Sequence, residues 1–115
     1  MSITQQIAAR LSPVTHKLAG ASNGMEAIYA DLFRRDLAHE GIENHFYPVG
    51  GAANYGLLYL LLRICRELRP ARILEVGCGQ STLLLDALSH RHPNAFDITT
   101  LEHDEGWAAR IGGQV

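Results

Sequence analysis

Three groups of residues in this chain have the types and spacing to do chemistry. The first is Glu75-Val76-Gly77-Cys78-Gly79-Gln80-Ser81-Thr82, with glycines at alternate positions after an apolar run and before a leucine-rich stretch. Glycines let a backbone turn sharply and let a ligand approach where a Cβ would clash. The N–H groups at the start of a following helix attract negative groups such as carboxylate or phosphate. The second group is Glu102, followed by His103 and Asp104, directly after the run Asp97-Ile98-Thr99-Thr100-Leu101. A carboxylate at such a position is an acceptor for ligand hydroxyls. The third, Cys65, Cys78, His90, His92 and His103, is a candidate zinc set. It lacks a Cys-x-x-Cys pair, and His90 and His92, two apart, would face different sides of a helix. Structural zinc sites use tight ligand pairs, so no metal is expected. Cys78 reads as a small, adaptable residue within the turn rather than a nucleophile.

The elements that must position these groups follow from pattern. Ile73, Leu74 and Val76 form an apolar strand, and a continuous apolar run suits a parallel strand covered on both faces. Ser81 or Thr82 is placed to cap the next helix, which runs to about His90 with Leu84, Leu85 and Leu88 on its inner face. The β-branched run 97–101 is a second strand, reached by a loop at His92–Asn94. A last helix begins at Asp104 or Glu105 and passes through Trp107 and Ile111.

Upstream, Ser2 with Gln5 makes a capping box for a helix to about Leu11. Ser12-Pro13 restarts the chain, and Gly20 to Gly24 reads as a loop. Met25, Ile28, Tyr29, Leu32, Phe33 and Leu37 then recur at helical spacing up to Gly41. Asp31, Arg34, Arg35, Asp36 and Glu40 read as the solvated face of that helix. Asn54 to Leu68 is a further helix, stopped by Pro70. It is apolar nearly all round, which predicts burial on more than one side, with Arg63, Arg66, Glu67 and Arg69 keeping its last turns wet.

Composition sets the bounds. The chain has 115 residues, 47% hydrophobic and 19% charged, a size and balance for one globular domain at most. A net charge of −2 and a pI near 6.3 give no electrostatic footprint for nucleic acid. Two cysteines make no disulfide framework. The N-terminus lacks the basic and apolar regions of a secretory signal. The longest apolar run, Leu57 to Leu62, falls well short of the ~20 residues of a membrane span. A soluble, cytoplasmic protein is expected.

The order Glu75-Val76-Gly77-Cys78-Gly79 resembles the first motif of the class I S-adenosylmethionine-dependent methyltransferases: an acidic residue, one spacer, then glycines at alternate positions. Ser81 stands where the family's third glycine would be. The resemblance implies that S-adenosyl-L-methionine is held at Glu75, Gly77, Cys78, Gly79, Ser81 and Thr82, with the Ser81 hydroxyl on the methionine carboxylate. It places Glu102 on the ribose hydroxyls and His103 against the adenine. Glu102 follows Gly77 by 25 positions, against the ~20 usual for the ribose-binding acid of nucleotide-binding α/β domains. The loop Glu43–Gly51, with Tyr47, Gly50 and Gly51, is by the same resemblance a lid or part of the substrate pocket. A packed connecting loop is the alternative.

The resemblance also implies an α/β, Rossmann-like doubly wound parallel sheet, here incomplete. Residues 1–70 would be an N-terminal helical segment and lid, and 71–115 the first βαβ unit. The family uses seven strands, so the likeness covers about its N-terminal half. These 115 residues alone are therefore expected to transfer no methyl group, and a homo-oligomer is one source of further strands. The methyl acceptor and the catalytic residues are not named by these motifs. Two other readings stand beside this one. A dinucleotide-binding oxidoreductase would use Gly-x-Gly-x-x-Gly, but Thr82 occupies its last glycine position. A non-catalytic interaction module would explain the two apolar helices.

Overall fold

The computed structural model describes residues 2–48 and 53–115, with the side chains of 2–6, 24–48 and 53–115. Among them the order of elements is α1 (Ile3–Glu40), α2 (Tyr55–Leu68), β1 (Arg72–Val76), α3 (Gln80–Arg91), β2 (Asp97–Leu101) and α4 (Glu105–Gly112). The architecture is mixed α/β. The two strands pair in parallel, in register from Arg72 opposite Asp97 to Val76 opposite Leu101. Parallel neighbours need a crossover, and α3 supplies it.

The capping box at Ser2 forms: its hydroxyl accepts the Gln5 N–H at 3.2 Å, and Gln5 Oε1 accepts the Ser2 N–H at 3.0 Å. The helix it opens does not stop near Leu11, restart at Pro13 or break at Gly20–Gly24. It is one element of 38 residues, closed by Gly41 at φ +68°. Proline removes a single N–H from the ladder, and glycine lowers helix propensity by about 1 kcal/mol without removing a bond. Neither enforces a loop.

One apolar core spans residues on both sides of position 70. Phe33 and Leu37 of α1, Phe46 of the connecting loop, Leu58, Leu62 and Cys65 of α2, and Leu84, Leu85 and Leu88 of α3 are buried together. Phe33 meets Phe46 edge-on at 5.7 Å between ring centroids. The start of α2 is fixed from two directions. Asn54 Oδ1 accepts the Leu57 N–H at 2.8 Å, and the Glu26 carboxylate of α1 accepts the N–H groups of Tyr55 and Gly56, each at 2.9 Å. These are N–H groups that a helix leaves unpaired at its start.

Three expectations about burial are corrected. Asp36 is not on a solvated face: it is 7% exposed and receives Arg66 at 3.1 Å and Arg63 at 3.4 Å. Glu40 likewise takes Arg66 Nε at 2.8 Å and His92 Nε2 at 2.7 Å, tying the ends of α1, α2 and α3 together. Arg66 is thus a partly covered bridge rather than a wet terminal residue. Second, α2 buries one side only. Leu57, Leu60, Ile64 and Leu68 lie on another stripe and are between 38% and 75% exposed. Third, β1 is covered on one face. Ile73 and Ile98 pack against the core, whereas Leu74, Val76 and Leu101 on the opposite face are exposed, Val76 to 81%. Among the described residues, helices pack against one face of the sheet, so the apolar run of β1 finds a cover on only one side. Met25 and Ile28 of the α1 stripe are also exposed.

Candidate functional site: the cleft at the glycine turn

The carboxyl end of β1 opens on a cleft of about 760 Å³. It is lined by the turn Val76–Ser81, by Tyr47 and Leu57, and by Trp107 and Ile111 of α4. Gly77 turns the chain out of β1 at φ +85°, a conformation that favours glycine. A Cβ built on Gly77 or Gly79 would meet no atom within 4 Å, so the space beside both glycines is open.

The turn's own amides are spent internally. The N–H of Gly77 donates to the Leu101 carbonyl at 2.7 Å. That of Cys78 donates to Glu102 Oε2 at 2.9 Å, and that of Gly79 to the Thr82 hydroxyl at 2.9 Å. The next N–H groups, those of Gln80, Ser81 and Thr82, begin α3 and have no intrahelical partner by helix geometry. They are the donors left for a negative ligand group, and the helix dipole favours such a group there.

Ser81 and Thr82 do not occupy the cap position, which is Gly79. They turn back onto Glu75 instead. The Ser81 hydroxyl donates to Glu75 Oε1, the Thr82 hydroxyl to Glu75 Oε2 at 2.7 Å, and Thr100 from β2 to the same oxygen at 2.9 Å. Glu75 and Thr100 are register partners across the two strands. Glu75 therefore organises the turn through three hydroxyls, one of them from the neighbouring strand.

Glu102 stands directly past β2, its side chain 10% exposed. Oε2 accepts the Cys78 N–H and Oε1 the Asp104 N–H at 3.1 Å. These two backbone donors hold the carboxyl below the usual carboxylate range. Each oxygen thus holds one backbone N–H, and the Cys78 thiol lies beside the same carboxylate. His103 is fully exposed, with Nδ1 3.3 Å from Glu102. Cys78 is half-buried, and that burial, with the Glu102 carboxylate beside it, pushes its thiol up and away from the thiolate a nucleophile needs.

The structure thus gathers Gly77, Cys78, Gly79 and Ser81 along the cleft, and Glu102 is bonded to the turn. It sets Glu75 and Thr82 behind them as supports. Of the three lid residues, Tyr47 lines the cleft and its N–H donates to Gln80 Oε1 at 3.1 Å. Gly50 and Gly51 lie outside the described residues. Sequence reasoning missed Gln80, Thr100 and Trp107. The indole N–H of Trp107 donates to the Cys78 carbonyl at 2.6 Å. Its place five positions after Glu102, on a helix that starts beside the acid, was the available signal.

No protein-family model, characterised protein or solved structure matches this chain. None of the helices is long and apolar enough, among the described residues, to cross a membrane.

Proposed function

We propose that this chain is the cofactor-binding part of an S-adenosylmethionine-dependent methyltransferase, built as the opening βαβ unit of a Rossmann-like sheet. The observation that carries the reading is Glu102: a carboxylate with lowered pKa at the tip of the second strand, 2.9 Å from the backbone of the glycine turn of the first. That arrangement suits a ribose diol. Ligands of α/β sheets bind beyond the carboxyl ends of the strands, which is where this cleft opens. Its volume falls within the range of small-molecule sites.

In this reading the start of α3 takes the methionine carboxylate through the N–H groups of Gln80–Thr82, while Gly77 and Gly79 keep the backbone free of side chains beside the ligand. The bound cofactor supplies a sulfonium whose methyl passes to a substrate nucleophile by in-line displacement. The residues named here bind and orient it, and orientation is a large part of catalysis in such a transfer. Calorimetric titration with S-adenosylhomocysteine tests the reading. Saturable binding lost in Glu102→Ala supports it. Binding of a nicotinamide dinucleotide instead would favour the redox alternative.

A second reading has its own observation. The exposed stripe Leu57, Leu60, Ile64 and Leu68 on α2 and the open sheet face of Leu74, Val76 and Leu101 form apolar surface of the kind that marks interaction modules. Light scattering and hydrophobic-dye binding discriminate: a clean monomer that binds no dye counts against it.

A further inference from the structure

Cys78 lies between two glycines, and both of its backbone groups are held by side chains from beyond β2. Its N–H donates to Glu102 at 2.9 Å, and its carbonyl accepts the Trp107 indole N–H at 2.6 Å. The peptide that carries this carbonyl also carries the Gly79 N–H, which donates to Thr82 at 2.9 Å. Left alone, peptide planes beside glycine rotate readily. Here the 77–78 plane is held through its N–H, and the 78–79 plane through both its carbonyl and its N–H.

Trp107 is itself fixed. Its backbone N–H donates to the Asp104 carboxylate at 2.9 Å, and the Arg110 guanidinium lies 4.9 Å from the ring centroid. It is the chain's one tryptophan, 37% exposed, on the wall of the cleft. A large aromatic at helical spacing commonly serves a core, but the apolar core described above does not include this one.

We propose that Trp107 is a positioning residue for the ligand site: its indole N–H on the Cys78 carbonyl fixes the peptide plane that leads into α3, and its ring forms the aromatic wall of the cleft. This rests on the methyltransferase reading for the identity of the ligand, but not for the hold on the turn. The N–H groups of Gln80–Thr82 can meet a carboxylate in one geometry only if the peptide before them is fixed. Trp107 fixes it from α4, so the second βα junction sets the shape of the first.

The test uses the whole chain labelled with nitrogen-15. The single indole N–H resonance is expected to exchange slowly with water in the free protein and to shift on titration with S-adenosylhomocysteine. Trp107→Phe keeps a ring and removes the donor. A hydrogen bond of ordinary worth predicts about a three- to tenfold rise in Kd, with unchanged helix content and broadened Gly77 and Gly79 amide resonances. An indole that exchanges as fast as free tryptophan overturns the proposal, as does a Phe variant that binds like the parent. Should that variant fail to fold, exchange in the parent protein decides. If the parent binds no S-adenosylhomocysteine, the functional reading fails by itself. A protected indole then still supports the hold on the turn, and an unprotected one refutes it.

Discussion

The Glu102 carboxylate accepts the backbone N–H of Cys78 at 2.9 Å, so the tip of the second strand holds the turn that leaves the first. Residues 24 positions apart are joined by a charge-assisted bond, roughly twice as strong as a neutral one. The same carboxylate takes the Asp104 N–H, beside the start of α4. A ligand that bonds Glu102 therefore meets a group already oriented by the chain.

Acid should act through this carboxylate. The N–H groups of Cys78 and Asp104 depress its pKa in the folded chain, so the unfolded chain binds the proton more readily. The stability this provides is fully present above the unfolded value of about 4.3 and is lost as pH falls through the lower folded value. Denaturation midpoints across an acid series should show that loss in the parent chain and less of it in Glu102→Gln. Equal slopes in both would remove Glu102 from the account.

The two glycines of the turn should answer differently to alanine. Gly77 sits at φ +85° and Gly79 at φ 172°, which is extended backbone that any residue adopts. Neither new Cβ meets a neighbour. Gly77→Ala should therefore cost about 1–2 kcal/mol of stability from backbone conformation alone, measured by urea unfolding. Gly79→Ala should leave stability nearly unchanged while weakening cofactor binding, because its methyl enters the open space of the cleft.

Local signals carried much of this structure. The strands at Arg72–Val76 and Asp97–Leu101, the helix α2 from about Asn54 and the start of α4 at Asp104 follow from residues within a few positions of each other. What escaped was tertiary. The burial of Asp36 depends on Arg63 and Arg66, which come from another helix. Thr100 reaches Glu75 only because the strands pair in that register. The sequence pattern puts Trp107 on the last helix and assigns it no role, because its partner is a backbone carbonyl that no side-chain pattern reveals. The uncovered face of β1 was invisible for the opposite reason: its apolar residues advertise a cover that the described elements do not supply.

Arg66 should be the most sensitive charged residue outside the cleft. It bonds both Asp36 and Glu40, whose side chains are 10% and 12% exposed. Arg66→Met would leave two covered carboxylates sharing only Arg63 and His92. Removing one partner of a buried ion pair costs about 3–5 kcal/mol. Urea unfolding should show a loss near the lower end of that range, since the arginine is itself 26% exposed. A loss under 1 kcal/mol would mean the network is no stronger than surface pairs.

The open sheet face should bind a hydrophobic dye. Leu74 at 66% exposed and Val76 at 81% stand beside Leu101 at 53%, an apolar patch of the kind that drives association. Leu74→Lys should lower dye binding and concentration-dependent light scattering while leaving the helix content unchanged. Unaltered scattering would shift attention to the α2 stripe.

Calorimetric titration of the chain with S-adenosylhomocysteine asks whether Glu102 and the start of α3 form one ligand site. Saturable binding at one site per chain is expected, weakened about ten- to a hundredfold in Glu102→Ala, as for the loss of hydrogen bonds to a charged group. Absence of heat with the parent chain, or a Glu102→Ala variant that binds as tightly as the parent, would contradict it.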